Sequence, residues 1–159
     1  GDWSSDVCSS DLRKVGLALT ALIDTASAAA VQYDRNEDEP LGEDEGDTIV
    51  VRLLASDISQ GPEMSGSTHR ATYQIEIMAR EATGETRDEA VERMAGEVLA
   101  AIHSDRSLGG RVASVEEQAF TPASKPGQDA TSAQMEVLIM FFTPRGDFNT
   151  IVGHGGTLF

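Results

Sequence analysis

Residues 71–110, ATYQIEIMAREATGETRDEAVERMAGEVLAAIHSDRSLGG, carry a strand, a helix and a sharp turn in one continuous stretch. From Ala71 to Ala79 the chain alternates, with Tyr73, Ile75 and Ile77 on one face and Thr72, Gln74 and Glu76 on the other. That is the period of a half-buried strand, one face toward helices and the other toward water or a subunit. Thr86 followed by Glu89 forms a capping box, after which Val91, Met94, Ala95, Val98, Leu99 and Ile102 recur at steps of three and four. Asp88, Glu89 and Glu92 stand in the first turns of this helix, where the dipole favours negative charge. It stops near His103, and Gly109 and Gly110 in the following SDRSLGG suit a turn of positive φ into a new strand.

Outward from this stretch the pattern repeats. Upstream, Thr48 to Ser56, TIVVRLLAS, is β-branched and apolar on both faces apart from Arg52, and reads as a strand well inside a sheet. DISQGPEMSGST, residues 57–68, breaks that pattern. Arg111 to Ala119 is a weakly patterned strand, and Thr121 to Ser132 a polar connection. AQMEVLIMFFT, residues 133–143, sets Met135, Val137, Ile139 and Phe141 against Glu136, Leu138, Met140 and Phe142, and as the most apolar strand it belongs at the centre. Before the first strand, Arg13 to Val31 places Val15, Leu19, Leu22, Ile23 and Ala26 on one helical stripe. Its polar face lacks the Lys and Arg of a membrane-surface helix, so it is expected to lie on the sheet. The order predicts an α+β two-layer sandwich, a mainly antiparallel or mixed four-stranded sheet with two helices on one face. Residues 13–143 make one domain, with an acidic loop at 34–47 and a flexible tail from 144 to 159.

Composition narrows the function. The 159 residues carry 27 Asp and Glu against 12 Lys and Arg, a formal charge of -15, which disfavours electrostatic nucleic-acid binding and leaves proteins as the expected partners. No apolar run approaches the about 20 residues of a membrane-spanning helix. Asp2 to Leu12, DWSSDVCSSDL, looks like a translated sequencing adapter, so residues 1–12 are expected to be a disordered leader outside the fold; a genuine flexible tail is the alternative. Taking its three aspartates from the 27 acids leaves 24 against 12 bases, still acidic, and removes Cys8, the only cysteine. Disulfides, thiolate nucleophiles and cysteine zinc sites go with it.

Tyr33 to Asp47, YDRNEDEPLGEDEGD, has eight acids against Arg35 alone. Such a run repels itself and is expected to be a solvated loop, with Glu37, Asp38, Glu39, Glu43, Asp44 and Glu45 as candidate contacts for a basic partner. The spacing is not that of an EF-hand, and no metal or cofactor is expected. No phosphate-binding loop, nucleophile elbow or metalloprotease helix is present, and His69, His103 and His154 stand far apart. A His103–Asp105 dyad is possible in principle, but a histidine at a helix C-terminus more commonly meets the last carbonyls. Arg145 to Asp147, RGD, is a three-residue match of the sort chance supplies, and Arg145 and Asp147 enter only as tail contacts. The expectation is a protein without catalysis.

From Glu89 to Gln118, and again from Ala133 to Asp147, the chain resembles the tail terminator, or minor tail protein U-like, family of long-tailed bacteriophages and prophages. The resemblance rests on a helix ending in a turn of Asp105, Leu108, Gly109 and Gly110, and on a last strand ending Phe141, Phe142, Thr143. TYQIEIMAR, residues 72–80, fits the same pattern, so about residues 49–143 are covered. The acidic stretch before the first strand departs from it. The resemblance implies a homo-oligomeric ring, usually a hexamer, that caps the tail tube, joins it to head–tail connector proteins and resides in the virion tail after assembly in the host cytoplasm. A small α+β ligand-binding or regulatory domain is the competing reading, and it requires an apolar cleft with a few convergent polar groups.

Overall fold

The alternation at residues 71–79 is the inner part of a longer strand in the computed structural model, which describes residues 3–35, 45–60, 66–80, 84–123 and 130–144. The elements are α1 (Trp3–Ala26), β1 (Ala30–Tyr33), β2 (Thr48–Gln60), β3 (Gly66–Arg80), α2 (Arg87–Ser104), β4 (Ser114–Ala123) and β5 (Ala130–Pro144). The strands form one sheet in the order β1-β2-β3-β5-β4, with β1 parallel to β2 and the other pairs antiparallel.

The apolar parity of each strand meets the helices. Tyr73, Ile75 and Ile77 of β3, registered with Val137, Met135 and Ala133 of β5, are fully covered. Val15, Leu19 and Ile23 of α1 and Met94, Val98 and Ile102 of α2 close over them in one cluster. Each such side chain removed from water contributes about 1.5–3 kcal/mol, so the helix layer is held by the stripes that define it. Thr86 caps α2 by accepting from the Glu89 amide at 3.2 Å, and the Glu89 carboxylate takes a hydrogen bond from the Thr86 hydroxyl at 3.0 Å. Arg93 binds Glu85, Asp47 and Glu97, which fastens α2 to the chain entering β2.

Three expectations are corrected. The sheet has five strands, not four: residues 30–33, read as the end of the first helix and the start of the acidic loop, form β1 beside β2. Four residues are too few to show a period, and the alanines before them favour helix locally, so partner strand β2 decides. The ring of Tyr33 then lies against α1 where Gly16 has no side chain; a Cβ there would meet the ring at 2.2 Å. Secondly, α1 begins at Trp3, not Arg13, and Leu12 is buried in the core with its carbonyl accepting from the Tyr73 hydroxyl. Leu12 stands three residues before Val15, so the helical stripe reaches into the adapter-like string. Thirdly, the stretch read as a break is strand at both ends: β2 runs to Gln60 and β3 starts at Gly66, and His69 is buried in β3.

The other sheet face is half covered. Arg52 is buried there, donating to Gln74 Oε1 at 3.0 Å, Glu76 Oε1 at 3.1 Å and the Arg35 carbonyl at 3.1 Å. A buried guanidinium keeps its charge only when donors find partners of this sort.

Candidate functional site

The turn after α2 is built around one carboxylate. Asp105 Oδ1 accepts from the Ser107 amide at 3.1 Å and hydroxyl at 2.8 Å, and Oδ2 accepts from the Gly109 amide at 2.6 Å. Ser107 Oγ in turn accepts from the Gly110 amide at 2.9 Å. Leu108, Gly109 and Gly110 have φ of 50°, 74° and 85°, the left-handed region where glycine costs least. Leu108 bears that cost while its side chain is buried. Partial burial pushes the Asp105 carboxyl up, but the hydrogen bonds from Ser107, Gly109 and Leu108 outweigh it and hold the carboxyl below its ordinary value. Asp105 is thus committed to the turn, with no freedom for a dyad with His103.

His103 does not meet the helix carbonyls either. Its Nδ1 lies 3.0 Å from the Arg106 guanidinium and its Nε2 3.4 Å from Glu117 Oε1. Arg106 also binds Glu117 at 3.2 Å and the Val115 carbonyl at 2.7 Å, which ties the turn to β4. The Glu117 carboxyl is held low by its own amide and by Arg106 against the opposing effect of burial.

Two surfaces beyond this turn are exposed and apolar. The far ends of β2, β3 and β5 extend past both edge strands as a three-stranded arm, because β1 reaches only Val51 and β4 only Met140. The arm carries Ile58 at 47 % exposure and Phe142 at 37 %, and Leu54, at 43 %, lies short of it on the free edge of β2, level with β4 across the sheet. At the opposite edge an open groove of about 500 Å³ lies between α2 and β4, floored by Ala95, Leu99, Phe120 and Met135 and rimmed by Glu92 and Glu117. Phe120 is 47 % exposed. A bulge between Glu117 and Ala119 turns Phe120 toward α2. Sequence reading missed both features: Ile58 fell in a stretch read as a break, and the bulge hides the parity of β4.

His69, on the arm's inner face, is fully buried, stacked on Phe141 with ring centroids 4.7 Å apart and 2.9 Å from the Thr143 hydroxyl. Burial lowers its pKa.

Of the expected contact residues, Glu45 makes a bidentate pair with Arg35. Glu37, Asp38, Glu39, Glu43 and Asp44 lie outside the described residues, as do Arg145, Asp147 and the rest of the tail. Among the described residues no group of three or more His, Cys, Asp or Glu is placed to hold a metal ion, and no helix is long and apolar enough to cross a membrane.

No family model and no curated protein matches the chain. Among solved structures, a chain described as "Virion of native gene transfer agent (GTA) particle" is similar over 79 % of this chain and 84 % of its own, at 18 % identity and a TM-score of 0.42.

Proposed function

We propose that the protein is a structural component of a phage-like virion, of the tail terminator type. It acts as a closed homo-oligomeric ring, hexameric in the resemblance, that caps the tail tube and joins it to the connector, without catalysis or cofactor. The observation that carries this reading is the turn at residues 105–110. The four residues on which the resemblance rests are one interlocked unit, with Asp105 accepting from Ser107 and Gly109, positive φ at residues 108–110, and Leu108 anchored in the core. The arm and the groove further support it, since a monomer gains nothing by leaving large apolar side chains on two separate edges, while a ring buries both. The groove volume also falls within the range of small-molecule sites, and so the test must separate assembly from ligand binding.

Incubation of the protein with isolated tail tubes, followed by negative-stain imaging, is expected to show density at one tube end. Saturable binding of a metabolite by a monomer that ignores tube ends would replace the ring with the ligand-binding reading.

A further inference from the structure

His69 stands at the root of the arm. It pairs in register with Ile58 of β2 on one side and Phe141 of β5 on the other, and the His69–Phe141 pair is the first beyond the reach of β4, which begins at Ser114 opposite Met140. The ring is fully buried, as are Phe141 and Thr143. Its Nε2 lies 2.9 Å from the Thr143 hydroxyl, while its Nδ1 is buried with no hydrogen-bond partner among the described residues. In a neutral imidazole one nitrogen donates and the other accepts, and a hydroxyl serves either; in the protonated ring both donate. Thr143 can then accept from Nε2, but the Nδ1 proton finds no acceptor and the charge no counter-ion, the costliest way to bury a polar group.

The neighbouring elements supply no charge to offset it. Ile58 on β2 and Phe141 and Thr143 on β5 are uncharged, and Arg70 and Asp57 pair in register on the opposite sheet face. In the helix layer Asp11 of α1 is the only buried carboxylate among the described residues, and it has a partner of its own. At the end of α2, Asp105 serves the amides of the turn, while His103 and Arg106 meet Glu117. Burial alone lowers the His69 pKa.

We propose that His69 is a proton-sensitive latch on the arm: neutral, it holds the ends of β2, β3 and β5 closed, and on taking up a proton it turns out to water and frees them. The opening is local. Behind the ring Tyr73, Ile75 and Ile77 are locked under the helix stripes, whereas beyond it no large apolar side chain is buried among the described residues and no edge strand flanks the arm. Segments with few buried contacts open at a fraction of the global cost. The latch operates in a single chain and does not depend on ring assembly.

Hydrogen–deuterium exchange of the full chain between about pH 7 and pH 5, with each rate divided by that of an unstructured amide at the same pH, reads the opening. Amides of residues 67–70 and 140–143 are expected to lose protection by up to about tenfold per pH unit below about 6.5, while those of Met94 to Ile102 keep theirs. His69→Gln offers Thr143 an amide but takes up no proton, and is expected to hold the arm's protection constant over the range. Unchanged arm protection in the parent, the same loss in His69→Gln, or a loss in α2 that keeps step with the arm would overturn the proposal. If His69→Gln does not fold, an NMR titration of the parent decides: the His69 ring and the arm amides are expected to share one midpoint below about 6.5, and a ring that titrates while the arm stays protected overturns the latch.

Discussion

Leu12, Asp105 and His69 each tie one side chain to a measurable cost. Leu12 is buried among Val15 and the sheet, so Leu12→Ala should lower stability by about 2 kcal/mol or more in denaturant titration. The adapter-like reading expects removal of residues 1–12 to leave the midpoint unchanged, but Asp11 and Leu12 are buried, so that deletion should lower it. Asp105→Ala leaves the Gly109 amide and Ser107 without their acceptor and should cost about 1–2 kcal/mol. Gly109→Ala should cost about 1 kcal/mol through its positive φ. Because the folded Asp105 pKa is depressed, its contribution is complete above the unfolded value of about 3.9 and is lost as pH falls through the folded value. Asp105→Ala should therefore flatten the acid limb of the stability curve, and an unchanged limb would contradict the assignment. His69 acts at higher pH. Its pKa is lowered by burial, so the folded state binds fewer protons than the unfolded one, and stability declines as pH drops below about 6.5. His69→Phe, which keeps the stack on Phe141, should remove that decline; urea titrations at successive pH values measure it.

At the scale of elements, α2 is the part most legible in the sequence. Thr86, Glu89 and the stripe from Val91 to Ile102 fix its start, its buried face and its end, and Thr86→Ala should cost about 1 kcal/mol in thermal unfolding. The buried parities of β3 and β5 were equally readable, because alternation against one apolar layer leaves a strict period of two. What escaped was decided by tertiary partners. β1 is four residues long and exists because β2 offers it an edge. Residues 57–68 read as a break because Gly61 and Pro62 are turn-forming residue types and their neighbours are mostly polar, with no apolar alternation to announce the strands that bury Ser67 and His69. The bulge at Glu117 and Ala119 shifts the parity of β4 in its middle, so Phe120 shows in the sequence only as an unplaced aromatic. The turn at 105–110 was found, but not its mechanism: that Asp105 would serve amides and not His103 required the positive φ of three successive residues. The groove follows from α2 and β4 lying side by side, a juxtaposition that neither segment announces alone.

At the scale of the whole molecule, a formal charge of -15 opposes any association of like copies. Assembly should therefore strengthen as salt rises from about 0.05 to 0.3 M, where the screening length falls to below about 10 Å; sedimentation velocity at the two concentrations checks this. A weakening with salt would mean that ion pairs, and not the apolar arm and groove, hold the copies together. The central claim is closed self-association, and its most direct test is the mass of the full chain in solution by light scattering over a wide concentration range at moderate salt. The account predicts one discrete species of several chain masses that does not grow further with concentration, as a closed ring requires. A single-chain mass at every concentration, or a mass that climbs without limit, would contradict it.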